Sequence, residues 1–325
     1  MSKIFGSLYF YNYICRQFYF ITNIIAIMKK FFSLSLMLLA ALAVNAQLKV
    51  APKMQMGDQK NYVTTTVAKI PGQGTLTITD ETTISVAEVL SEGFVLSVET
   101  TKVTSDAQAG NIAGLLMSAA QEMMAGVEIR VNTDLNGQPQ GIANYTDVKA
   151  KLEKNSDQLV DKMLQSVPQI AQVMGKDALK KQIMDNVSEK SLLAAMKNST
   201  CPLVLNGKTL TTGAQEDYTN EQGLKMKRMY FVNGQKVTSS GSINMSKDDM
   251  KALIIKQVEQ MMPEQAEMIK QNIDQVMASG LVKIDMKETA SYDLDADGWL
   301  KSINSESTMD SMGQQTNIKA TVTLK

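Results

Sequence analysis

The chain has no histidine. That removes the commonest general acid and base, the Ser-His and Cys-His nucleophile pairs, and the usual zinc ligand set. The glycine signatures of a nucleophile elbow, a phosphate loop and a dinucleotide site are missing as well. Catalysis would have to run on carboxylates, lysines or a hydroxyl, and no spacing marks such a group. The expectation is therefore a protein that is not an enzyme and that uses no cofactor and no metal. Cysteine is scarce too. Only Cys15 and Cys201 are present, and only Cys201 follows residue 46. No disulfide can form within 47–325, so size alone must supply the core.

Long hydrophobic runs are limited to the N-terminus. Met28-Lys29-Lys30 precedes the apolar stretch Phe31 to Val44, and Val44-Asn45-Ala46 follows. This is a basic start, a segment too short to span a bilayer, and small residues at the cleavage positions. The reading is a secretory signal at 28–46, cut after Ala46, with no cysteine behind it to take a lipid. Residues 1–27 are aromatic-rich and read as an over-extended start ahead of Met28, the alternative being a real hydrophobic segment that forms a long n-region or a second membrane element. Export to the periplasm or the exterior follows, with no integral membrane span after cleavage. Lys3, Arg16, Lys29 and Lys30 leave with the leader and no acid does, which takes the balance of 33 bases against 33 acids to −4. A mildly acidic chain has no electrostatic footprint for nucleic acid.

Beyond residue 46 aromatics are few. Phe94, Phe231, Trp299 and five tyrosines stand against 20 methionines, since 3 of the 23 lie in the leader. A core of Met, Leu, Ile and Val follows. It can be an ordinary core, or a deformable greasy cavity, because methionine is flexible and polarizable.

The pattern of the rest alternates between two periods. Tyr62–Ile70, Thr75–Val89 and the stretch from Phe94 read as strands with one buried face, joined by short glycine turns. Ile112, Leu115, Leu116, Ala119, Ala120, Met123 and Met124 recur at helical spacing. Val127–Val131 and Pro139–Asn144 are strands around Asn136-Gly137. Residues 146–198 are helical, punctuated by Pro168 and Gly175. Leu203–Thr212, Gly223–Val232 and Lys236–Met245 read as strands, with Asn233-Gly234 as a hairpin turn. Ser246 to Gly280 is a kinked helix, or two helices joined at Pro263. Ser246 is placed to cap it, with Asp249 at the positive end of its dipole and Gly280 at its stop. Val282, Ile284 and Met286 then alternate with Lys283, Asp285 and Lys287. Trp299–Thr308 returns, and Ile318 to Leu324 closes the chain. Both halves run strands, a helix, then strands again, which suggests a single domain over 47–325 with two similar lobes, 47–145 and 202–325.

Four groups of residues invite chemistry. Asp293, Asp295, Asp297 and Gly298 match the first half of an EF-hand loop, but its twelfth position is Asn304 and strands flank it, so a hairpin turn is expected. The methionine pairs Met123-Met124, Met226 with Met229, and Met261-Met262 suit soft metals, yet apolar stripes explain four of the six. Cys201, a lone thiol before Pro202, is expected to be buried and inert. Lys225, Lys227 and Arg228, followed by Tyr230 and Phe231, form a basic-aromatic ribbon that could take an anionic headgroup or a glycan. The solvated outer face of a strand accounts for it as well.

These features resemble secreted, Bacteroidota-type proteins, in the signal, the Thr-rich strands and the strand-Asp-Gly-strand ending. Asp310-Ser311-Met312 is similar to the short O-glycosylation motif of that phylum. At the level of architecture the pattern resembles the half-barrel of periplasmic lipoprotein carriers, which hold acyl chains between sheet and helices. The expected fold is α+β, a long-stranded curved antiparallel sheet, half-barrel-like, with Met- and Leu-rich helices packed on one face. The expected function is an exported soluble envelope protein binding a hydrophobic or lipid-like ligand between sheet and helices. Met123, Met124, Leu253, Met261 and Met262 would line that site. The alternative is a non-catalytic structural or interaction module with an envelope protein as partner.

Overall fold

The computed structural model describes residues 47–325 except 73, 108–111, 167–174, 186, 221–223, 262, 279–283 and 312–313. The signal segment 28–46, Pro168, Met262, Gly280 and Val282 therefore lie outside the described residues. Gln47–Lys325 forms one compact unit. After a short strand β1 (Leu48–Lys49) come β2 (Gln59–Ile70), β3 (Gly74–Leu90), β4 (Gly93–Ser105), α1 (Ile112–Met124), β5 (Glu128–Asp134) and β6 (Pro139–Ile142). The helices α2 (Tyr145–Ser166), α3 (Lys176–Asp185) and α4 (Glu189–Ala195) lead to β7 (Thr209–Leu210) and β8 (Gln215–Thr219). The hairpin β9 (Lys225–Asn233) and β10 (Lys236–Ile243) precedes α5 (Lys247–Met261) and α6 (Pro263–Ala278). The chain ends in β11 (Ile284–Leu294), β12 (Leu300–Ser311) and β13 (Gln314–Leu324).

Eleven strands form one open antiparallel sheet in the order β6-β5-β4-β3-β2-β13-β12-β11-β10-β9-β8. The hairpins β2–β3–β4, β5–β6, β8–β9–β10 and β11–β12–β13 are joined by short connections, helices intervene between β4 and β5 and between β10 and β11, and β13 pairs with β2 to join the two halves. Asn233-Gly234 closes β9–β10 with Gly234 at φ +61°, the left-handed conformation that a two-residue hairpin loop requires. The Asp295–Gly298 loop is likewise a hairpin turn. The Asp295 Oδ1 accepts from the backbone N–H of Asp297 and of Trp299, a side-chain turn that closes the loop.

Residues directly opposite in antiparallel pairs share a face, so register sorts the side chains. Tyr62, Ile84, Leu96, Val131, Val322, Ile303, Tyr292 and Val237 all fall on one face, and all are buried in a single cluster. The helices bury their stripes against the same cluster. Ala119 and Met123 come from α1, Leu152, Val160 and Met163 from α2, and Leu179 from α3. The other face carries Thr, Ser and charged residues, which is the alternation of a sheet with one wet side.

Two sequence expectations fail in the middle of the chain. Leu203–Thr212 is not a strand. Leu203, Val204, Leu205 and Asn206 form buried turns, and only Thr209–Leu210 pairs, with β1. The short apolar run Leu203-Val204-Leu205 has the composition of a buried strand. Here it is a plug, wedged against the inner face and held by Ser199 Oγ and Ser305 Oγ 3.0 Å apart. The strand that forms nearby, Gln215–Thr219, is polar at every position but Tyr218 and has one β-branched residue, so no local pattern marks it.

Candidate functional site

The inner face is not uniformly apolar. One row crosses it at right angles to the strands: Glu216 on β8, Arg228 on β9, Gly241 on β10, Glu288 on β11 and Ser307 on β12, each directly opposite the next. Arg228 is fully buried and Glu288 nearly so. They stand two strands apart, about 9–10 Å at the backbone. They meet because Gly241 between them has no side chain. A Cβ there would lie 2.7 Å from Glu288 Cγ. Across that gap Arg228 Nε and Nη2 donate to Glu288 Oε1 at 2.9 and 2.7 Å. The Tyr218 hydroxyl donates to the same oxygen at 2.7 Å, and its ring lies 4.2 Å from the guanidinium carbon. Arg228 Nη1 reaches the carbonyl of Lys197, just beyond α4, at 3.3 Å.

A second ion pair abuts the first. Lys208, carried in by the plug, donates to both oxygens of Glu216 at 2.7 and 2.6 Å and to the Tyr230 hydroxyl at 3.0 Å. Tyr230 donates in turn to Glu216 Oε2 at 2.5 Å. Burial alone would raise the Glu216 carboxyl, but the Lys208 ammonium and the Tyr230 hydroxyl hold it below the ordinary carboxylate range. Burial pulls Lys208 below its ordinary value, and Glu216 opposes that. Burial also works against the Arg228 charge, but the Glu288 carboxylate beside it holds the guanidinium charged. Burial keeps Tyr218 and Tyr230 protonated well above the ordinary phenol range. Two cations thus face two carboxylates, and each charge is hydrogen-bonded, which is the condition for burying them.

The charged row separates two apolar regions. On one side lies the main core. On the other, Tyr218, Leu224 and Met226 form a small cluster, with Ile243, Met245, Leu253 and Met286 packed against it. Leu253 belongs to α5, which packs on α6. Ser246 caps α5 as its spacing predicts. Its Oγ accepts from Asp249 N–H at 3.1 Å, and the Asp249 carboxylate accepts from Ser246 Oγ at 2.8 Å. Lys225 Nζ on β9 ties the same Asp249 at 2.6 Å.

Next to the row a cavity of about 690 Å³ opens between α4 and β8. Glu189, Lys190, Leu193 and Lys197 line one wall, and Asp217, Tyr218 and Thr219 the other. Glu189 also accepts from the Ile142 N–H of β6 at 3.0 Å, so α4 touches β6 while it faces β8. These are the two edge strands of the sheet.

Of the residues proposed from sequence, Met123 and Met124 fall in one cluster and Leu253 in another. Met123 and Met124 sit at the end of α1 in the main core, with Met123 buried. Leu253 sits in the satellite cluster beyond the charged row. Met261 ends α5 and Met262 lies outside the described residues. The basic-aromatic ribbon is divided by the strand period. Lys225, Lys227 and Phe231 point outward, whereas Arg228 and Tyr230 point inward into the charged cluster. Reading Arg228 with its neighbours as a solvated face was therefore incorrect. The alternation Met226-Lys227-Arg228-Met229-Tyr230 contained the signal, since Arg228 shares the parity of Met226 and Tyr230. Glu216, Lys208, Glu288 and Gly241 were missed, because nothing local ties them together. Cys201 is part-buried, and burial pushes its thiol up to about 11. Among the described residues no group of three or more Cys, Asp or Glu is arranged to hold a metal ion.

No family description and no curated protein matches this chain. Distant solved structures do. A lipovitellin structure, concerned with lipid–protein interactions, is 9% identical over 84% of this chain, with a TM-score of 0.37. The match spans only 25% of the lipovitellin chain. Rv2717c from M. tuberculosis is 7% identical, with 83% and 92% of the two chains covered and a TM-score of 0.25. A porin-like protein from Bacteroides uniformis is 10% identical, with 85% and 99% covered and a TM-score of 0.17. Likeness at this level carries no argument about function. Among the described residues no helix is long and apolar enough to cross a membrane.

Proposed function

We propose that this is an exported, non-catalytic envelope protein that holds a hydrophobic, lipid-like ligand between its sheet and its helices. The sheet is read as a curved, half-barrel-like trough whose two edges approach one another at α4. One observation carries the reading. Tyr218 is at once a wall of the α4–β8 cavity and a member of the satellite cluster under Leu253. The cavity offers Glu189, Lys190, Lys197 and Asp217 to a polar head, and the cluster behind Tyr218 offers Met226 and Met286 to an apolar tail. That cluster packs apart from the main core, so α5 and α6 can shift to admit a chain without opening it. The packing of Leu253 on that cluster supports its part in this role.

The test is native mass spectrometry of the 47–325 chain purified from a bacterial envelope, followed by titration with a BODIPY-labelled phospholipid. The expected result is a co-purifying lipid mass and saturable uptake that Leu253→Asp weakens at least tenfold. A ligand-free mass with no saturable uptake would overturn the reading.

A further inference from the structure

The opposite, wet face of the same sheet carries a second feature. Among the described residues Phe231 is the only exposed aromatic; Tyr62, Tyr218, Tyr230, Tyr292 and Trp299 are buried, and Phe94 and Tyr145 are part-buried. Phe231 is 44% exposed on β9. Hydrophobic residues exposed singly are ordinary, but this one is not isolated from structure. It stands at the end of a straight row of directly opposed residues: Phe231, Thr238, Ser291, Asn304 and Thr321, one from each of β9 to β13. A parallel row holds Ser240, Thr289, Glu306 and Lys319. Together they line a groove of about 520 Å³.

The lining identifies an occupant by its chemistry. Four strand spacings give the Phe231–Thr321 row a length of about 19 Å. Along it lie hydroxyls and one amide, groups that both donate and accept. Glu306 and Lys319 pair at 3.4 Å, so the groove has no net charge. The floor is the middle of a sheet whose backbone groups are spent on neighbouring strands, which leaves nothing for an added peptide strand. One ring cannot hold a lipid chain, since an acyl tail needs a continuous apolar surface. An extended neutral ligand dense in hydroxyls, with one apolar ring face to stack on an aromatic, fits each of these features.

We propose that the outer face of β9–β13 is a binding groove for a neutral oligosaccharide, stacked on Phe231 and hydrogen-bonded along Thr238, Ser291, Asn304 and Thr321. It is independent of the lipid-like site, which lies on the opposite face. The probes are maltohexaose, cellohexaose and xylohexaose, titrated calorimetrically into the 47–325 chain. At least one should bind with a dissociation constant in the micromolar to millimolar range. Phe231→Ala should weaken it tenfold or more with the melting temperature unchanged, and Asn304→Ala should weaken it severalfold. Failure of all three sugars to bind at 10 mM, about ten times the weak end of that range, or binding that Phe231→Ala leaves intact, would overturn the assignment. So would sedimentation showing a dimer that Phe231→Ala dissolves, since the face would then serve a second copy of the chain.

Discussion

The two halves of the sheet are covered differently. In the first, α1 follows β4 and precedes β5, and it is built into the core: Ala119 and Met123 join the main cluster, and Asn155 Nδ2 of α2 donates to the Met123 carbonyl at 2.8 Å. In the second, α5 and α6 occupy the same place between β10 and β11. Leu253 packs on the satellite cluster, and Lys225 ties Asp249 at the surface. One topological position thus serves two ends. A cover that shares the main core is held by all of it, whereas a cover resting on its own small cluster can open at lower cost. The charged row marks the boundary between them.

The largest effect is expected at that boundary. Arg228→Leu leaves Glu288 buried without its partner and should cost about 3–5 kcal/mol in urea denaturation. Arg228→Leu with Glu288→Leu should recover much of the loss. A single substitution that unfolds at the wild-type midpoint would mean that the row does not hold the second half together. Next comes the contrast of the covers. Met123→Ala should cost about 2–5 kcal/mol, and Leu253→Ala, part-buried in the satellite cluster, about 1 kcal/mol. Equal losses would erase the difference between α1 and α5.

Gly241→Ala is expected to cost about 1–3 kcal/mol, because its Cβ must push the Glu288 side chain aside. Unchanged stability would show that the slot over β10 has room to spare. The smallest effect is in acid. The folded Glu216 carboxyl lies below its ordinary value, so it contributes stability above the unfolded pKa, about 4.3, and loses it as pH falls through the folded value. Glu216→Gln should flatten the acid limb of a stability-against-pH curve. An unaltered limb would assign acid sensitivity to other carboxylates.

Most strands were legible because their evidence is local. Alternation from Tyr62 to Val98 needs only neighbours in sequence, and Asn233-Gly234 marks its own hairpin. The Ser246 cap and the break at Pro263 are local for the same reason, and the structure shows α5 ending at Met261 and α6 beginning at Pro263. The plug at Leu203–Leu205 was misread because a buried turn and a buried strand have the same composition. The candidate site was largely hidden. Arg228 could have been separated from Lys225 and Lys227 by parity, but Lys208 follows the plug and Glu288 lies on a strand 60 residues beyond Arg228.

By itself the sequence determined periods and absences: which stretches pleat, which coil, and that no imidazole is available for catalysis. Those follow from nearest-neighbour sterics and from composition. Only the tertiary structure decided which face of each strand meets which helix, that a missing side chain at Gly241 lets an arginine and a glutamate join across a strand, and that Phe231 heads a row of hydroxyls. Register between distant strands sets all three, and register is a property of the assembled sheet rather than of any segment in it.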